Sequence, residues 1–171
     1  FQTPAALHSD MAKLVSVVAF LWSVEGALHV VDFHNSSWTL TNGNGSVSIK
    51  VANATNTHLN LMQAGVLQGD PYYRDNEVAW RWVALEAWTY STSFASTAEV
   101  LAQTRQTLRC QVDTISSILI NGREVGRTYD AFVASELDVT GLLRAAGLAN
   151  TLQVVIHPPL QYAAKQARKY P

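Results

Sequence analysis

The stretch Asp70 to Tyr90, DPYYRDNEVAWRWVALEAWTY, holds three of the chain's five Trp and three of its six Tyr, interleaved with an Arg-Asp-Asn-Glu run. So much aromatic surface beside charge fits a sugar-binding surface, a catalytic corner, or the packed strand of a β-sandwich. Parity favours the last. Trp80, Trp82 and Trp88 are separated by even steps, so on one continuous strand over Trp80–Phe94 all three point to a single face. A face of large aromatics more readily packs as core than stands out as a ligand platform. On that reading Arg81 faces the other way, and DPYYRDNE is the loop that leads in.

Strand signals continue on both sides. SVSIKV (46–51) alternates polar and apolar after the turn-rich TNGNG, and TLRCQVD (107–113) and TISSILI (114–120) follow as two more strands. Asn121-Gly122 sits at a hairpin position, because both residues accept the positive φ that a type I′ turn demands. REVGRT returns as its partner, and FVASELDV and NTLQVVIH complete the set. HLNLMQAG (58–65) has helical spacing with Gly65 as a stop, and LQYAAKQARK after Pro158-Pro159 turns polar and helical. Several short strands with regular turn signals predict an all-β fold, a β-sandwich with short helices.

Composition narrows the function classes. The chain has 171 residues, 48% apolar and 15% charged, with a net charge of −1, which suits one globular core. Without a basic stripe, no nucleic-acid partner is expected. Cys110, the single cysteine, reads as a buried strand residue.

The N-terminal region reads as a leader. After Met11, Lys13 gives a positive start, Leu14 to Trp22 an apolar run, and Val24-Glu25-Gly26 a small-residue end. The run is too short to span a bilayer, so no membrane span is expected. Residues 11–26 are expected to be a secretory signal peptide, 1–10 an upstream extension, and 27–171 the mature domain. The competing reading is a buried N-terminal helix. Three N-x-S/T sequons at Asn35, Asn44 and Asn53 fit a glycosylated protein of the secretory route. The closing KQARKYP carries no terminating element and reads as part of a longer chain.

Catalytic patterns are sparse. His8, His29, His34, His58 and His157 are scattered without metal-ligand spacing, so no metal and no cofactor is expected. Glycoside hydrolysis needs two carboxyl groups across the scissile bond. Asp113 reads as a turn residue, Asp138 as an Asx or capping residue, and Glu86 as the polar face of a strand. Only Asp70, Asp75 and Glu77 cluster with Arg74, Asn76 and aromatics, and they make no convincing acid–nucleophile pair.

The block AGVLQGDPYYRDNEVAWRWVALEAWTYSTSF, continued by VDTISSILINGREVGRTYDAF, DVTGLL, NTLQV and PLQYAAKQARKYP, resembles the N-terminal domain of lysosomal-type β-mannosidases of glycoside hydrolase family two. The resemblance runs from Trp38 to the C-terminus. It implies a jelly-roll, galactose-binding-like sandwich leading a multidomain retaining exo-β-mannosidase, which releases terminal β-D-mannose from glycoprotein-derived oligosaccharides in the lysosome. It also implies that the two catalytic Glu lie in a downstream barrel, so that no catalytic residue is in this chain. Arg74, Asp75 and Asn76 are then the candidates for touching substrate, with an inter-domain brace as the alternative role for this run. Two departures stand out: Ala52-Asn53 replaces the family's Pro-Gly in the entry turn, and Asp130-Ala131 replaces Asn-Met. The rival reading is a free-standing carbohydrate-binding or lectin-like module, with Trp82 and Trp88 holding the sugar.

Overall fold

The computed structural model describes residues 15–21, 29–34 and 36–170. Ten strands lie among them: β1 (Val15–Leu21), β2 (His29–Asp32), β3 (Trp38–Asn42), β4 (Ser48–Val51), β5 (Trp88–Ala95), β6 (Thr107–Val112), β7 (Ser116–Ile120), β8 (Arg123–Thr128), β9 (Ser135–Asp138) and β10 (Ala149–Ile156). They form a four-stranded sheet ordered β2-β1-β6-β9 and a six-stranded sheet ordered β4-β3-β5-β10-β7-β8. All neighbours pair antiparallel. The fold is the expected β-sandwich.

The two-residue period of the sequence fills the space between the sheets. β3 buries Trp38, Leu40 and Asn42, β5 buries Trp88, Tyr90 and Thr92, and β10 buries Asn150, Leu152 and Val154. From the other sheet β6 contributes Leu108, Cys110 and Val112. Burial pushes the Cys110 thiol up to about 11, so near neutral pH it is a protonated core residue. Phe33 closes one end, meeting Phe94 edge-on at 4.9 Å and Trp38 at 6.4 Å.

Turn chemistry follows the sequence. Asn121 and Gly122 both take positive φ, 52° and 80°, and join β7 to β8 as the expected hairpin. Helix α1 (Thr57–Gln63) starts at Asn56, whose side chain accepts from the Leu59 amide, and stops before Gly65 at φ 71°. Asp138 accepts the Thr140 amide at 2.9 Å, the expected Asx turn. Helix α3 (Ala98–Leu101) is capped by Thr97, and helix α4 (Pro159–Ala167) opens at the second of the two prolines and runs through the expected helical segment.

One expectation fails. The continuous strand over Trp80–Phe94 begins only at Trp88. Upstream of it lie α2 (Asn76–Ala79) and a 3₁₀ helix (Arg81–Leu85). The residues between Glu77 and Leu85 include good helix formers and no Gly or Pro, and Trp80 and Val83 bury together at an i, i+3 spacing. Strand parity therefore does not govern Trp80 and Trp82, and Glu86 lies just outside the helix rather than on a strand. The aromatics are core all the same. Trp80 and Trp88 are buried, and half-buried Trp82 lies against Trp88 with ring centroids 5.8 Å apart.

Of the expected leader over 11–26, the structure describes only Val15–Leu21, which runs as β1 between β2 and β6. The remainder of the leader, the extension over 1–10, and Asn35 lie outside the described residues.

Candidate functional site

The loop DPYYRDNE is a chain of turns tied to its own backbone. The Asp70 carboxylate accepts the Tyr72 amide at 2.8 Å, and the Asp70 carbonyl accepts both the Tyr73 amide and, at 2.7 Å, the Asn76 side-chain amide. Arg74 holds φ 51°, a left-handed conformation that few non-glycine residues adopt, and its guanidinium lies 5.1 Å from the Tyr73 ring centroid. Tyr72 is 94% exposed. Arg74, Asp75 and Asn76 thus stand together on one outward turn. Arg74 and Asp75 are exposed, whereas the Asn76 amide already has a structural partner.

A separate crevice of about 170 Å³ opens at one end of the sandwich. Four segments converge on it: residues 55–58 entering α1, residues 83–88 entering β5, Asp113 after β6, and residues 156–159 leaving β10. Its polar members are Thr55, Asn56, Thr57, His58, Glu86, Asp113 and His157. Arg74, Asp75 and Asn76 do not line it.

Hydrogen bonds from the core fix each wall. The Tyr90 hydroxyl donates to the Thr55 carbonyl at 3.2 Å and accepts the Asn60 amide at 3.1 Å, tying the entry of α1 to β5. Trp88 Nε1 donates to the Val83 carbonyl at 2.8 Å and holds the 3₁₀ helix onto the start of β5. The Gln161 side-chain amide donates to the Leu85 carbonyl at 3.3 Å, anchoring α4 beside the same helix. The Thr114 hydroxyl donates to the Asp113 carboxylate.

His157 is held from behind. Its backbone amide donates to the Ile115 carbonyl at 2.9 Å, and its Nε2 lies 3.0 Å from the Ser117 hydroxyl. The hydrogen bond from Arg127, and after it the one from Ser117, keep the Glu124 carboxyl below its usual range. The Arg127 guanidinium grips that carboxylate at 2.8 and 3.2 Å. The contact between His157 Nε2 and the Ser117 hydroxyl fixes the orientation of the imidazole ring.

Burial lowers the pKa of His58. The neutral imidazole is therefore favoured in the folded chain, and the unfolded chain takes up the proton first as pH falls through about 6.5. The stability associated with His58 is present above that value, falls between the unfolded and folded pKa, and levels off below the latter. Thermal unfolding at about pH 7 and pH 5 is expected to show a smaller acid-induced drop in Tm for His58→Gln than for the wild-type chain. An equal drop in both would assign no linkage to this residue.

Sequence reasoning missed the crevice. Its ionisable residues, His58, Glu86, Asp113 and His157, are spread over a hundred positions, and Glu86 and Asp113 each had an ordinary local explanation. Only the pairing of β5 with β10 and of β10 with β7 brings those segments to one end. Among the described residues no group of three or more His, Cys, Asp or Glu is placed to hold a metal ion.

Comparison with known proteins places this geometry in context. Residues 38–171 match the family model described as the glycosyl hydrolase 2 galactose-binding domain-like domain. The chain is 33% identical over 137 residues to a β-mannosidase of Mus musculus and 33% identical over 135 residues to one of Rattus norvegicus, covering 80% and 78% of this chain. It spans only 15% of the length of each of those relatives. Among solved structures, the β-D-mannosidase of Dictyoglomus thermophilum aligns over 80% of this chain and 17% of its own, with TM-score 0.73 and 29% identity.

Proposed function

We propose that this chain, which belongs to the glycosyl hydrolase 2 galactose-binding domain-like family, is the N-terminal sandwich of a retaining exo-β-mannosidase that removes terminal β-D-mannose from glycoprotein-derived oligosaccharides. The observation that carries the reading is the 33% identity to a mammalian β-mannosidase across 80% of the chain, against coverage of 15% of that relative. The catalytic carboxylates belong to a downstream barrel of the same polypeptide. Arg74, Asp75 and Asn76 on the exposed loop are the residues through which the sandwich meets substrate. The enzyme enters the secretory route through the leader at 11–26, carries glycans at Asn35, Asn44 and Asn53, and acts in the lysosome. Asn44 at the β3–β4 turn and Asn53 are both exposed, as acceptor sites should be. Among the described residues no helix is long and apolar enough to cross a membrane.

The test compares two proteins on a chromogenic β-mannoside. The product of the full reading frame is expected to release the chromophore, and residues 27–171 alone are expected to release none. Turnover by the short protein, or none by the long one, would overturn the proposal.

The lectin-like alternative loses one of its two Trp residues as a sugar contact. Trp88 is 3% exposed, with its indole N–H committed to Val83, so it cannot stack on a sugar.

A further inference from the structure

The crevice is a built feature with no role in the reading above, and its chemistry narrows what it can hold. It contains two carboxylates, Glu86 and Asp113, two imidazoles, His58 and His157, and, among the described residues, no Lys or Arg. Carboxylates without a facing cation repel an anion and accept from hydroxyl donors. Val83, Ile156 and Pro159 add apolar surface beside these acceptors. That combination suits the mixed faces of a neutral sugar ring. The volume, about 170 Å³, lies below the range of drug-sized pockets and admits one ring rather than a chain.

One wall is preorganised. His157 Nε2 lies 3.0 Å from the Ser117 hydroxyl, and the His157 backbone amide donates to the Ile115 carbonyl at 2.9 Å. These two contacts hold the imidazole in one orientation before any ligand arrives, the condition under which a single hydrogen bond contributes most to selectivity.

We propose that the crevice at this end of the sandwich is an accessory subsite for one neutral monosaccharide unit, with His157 as the oriented hydrogen-bonding group and Glu86 and Asp113 as acceptors for ring hydroxyls. Ser117 is a positioning residue that acts through His157. The proposal rests on the functional reading above only for the choice of β-mannoside as probe.

The test is an amide and imidazole NMR titration of the chain with methyl β-D-mannoside. Saturable shifts confined to residues 55–58, 83–88, 113 and 157, with a millimolar Kd, are expected. Glu86→Gln, close in shape to the native residue, is expected to weaken binding about tenfold, the scale of one lost hydrogen bond to a charged group. Ser117→Ala is expected to weaken it several-fold and to shift the tautomer balance of the His157 ring, a change visible in the imidazole nitrogen spectrum. Absence of saturable shifts to several tens of millimolar overturns the proposal, as do shifts confined to Tyr72–Asn76. Wild-type affinity in Glu86→Gln overturns the role of that carboxylate. Tighter binding of arginine amide than of the mannoside, with the same shifts, overturns the sugar in favour of a basic polypeptide segment. Hydrolysis by the long protein is read separately. An active long enzyme whose sandwich shows no crevice shifts sinks only the subsite, and an inactive one whose crevice saturates sinks only the mannosidase reading.

Discussion

Trp88→Ala is expected to remove about 3–5 kcal/mol of stability, the usual cost of truncating a buried aromatic to alanine. Against a total of roughly 5–15 kcal/mol for a domain, that leaves little or no folded protein. Two losses combine. The indole is 3% exposed and sits where β5 begins, so its removal opens a void in the core. The hydrogen bond from Nε1 to the Val83 carbonyl at 2.8 Å also disappears, freeing the 3₁₀ helix that carries Trp82 and one wall of the crevice. Urea unfolding followed by tryptophan fluorescence reads the effect. Trp82→Ala is the control: this residue is half-buried and packs on Trp88 from outside, so about 1 kcal/mol is expected. Equal costs for the two would mean that Trp88 does not anchor the corner.

The second large effect is expected at Asn150, which is fully buried. Its side chain donates to the Ser96 hydroxyl at 3.1 Å and accepts from the Asn121 side-chain amide and the Arg144 backbone amide, both at 2.9 Å. It therefore joins β10, the β7–β8 hairpin and the loop before β10 in one polar knot. Asn150→Ala strands the Ser96 hydroxyl and the Arg144 N–H at roughly 1–3 kcal/mol per group, for a total of about 3 kcal/mol. Faster hydrogen exchange at the Arg144 amide, together with a lower urea midpoint, would confirm the origin of the loss. A lower midpoint with unchanged exchange at Arg144 would locate it elsewhere.

Much of the sandwich is legible in the sequence because its strands are short, several of them alternate, and turn residues with definite backbone demands stand between them. Asn121-Gly122 is the clearest case, since two residues tolerant of positive φ between apolar runs admit few alternatives. The region around Trp80 is harder. Aromatic residues favour strands in general, but here an i, i+3 pair buries as well as an alternating one, and tertiary packing decides between them. The loop residues Arg74, Asp75 and Asn76 were legible as neighbours because they are neighbours in sequence. The crevice was not, because its walls come from four segments that only the strand order assembles.

The position of Val15–Leu21 has a consequence for maturation. Those seven residues are the apolar heart of the expected leader, and they are also the strand that links β2 to β6. A peptidase cut after Gly26 and a finished four-stranded sheet are thus competing fates for one segment. Any chain that is cut must offer another extended segment to β2 and β6, or leave two rows of backbone N–H and C=O groups facing water. Order of events then matters: early cutting leaves the slot to whatever strand the rest of the polypeptide can supply, while early pairing commits Val15–Leu21 to the sheet.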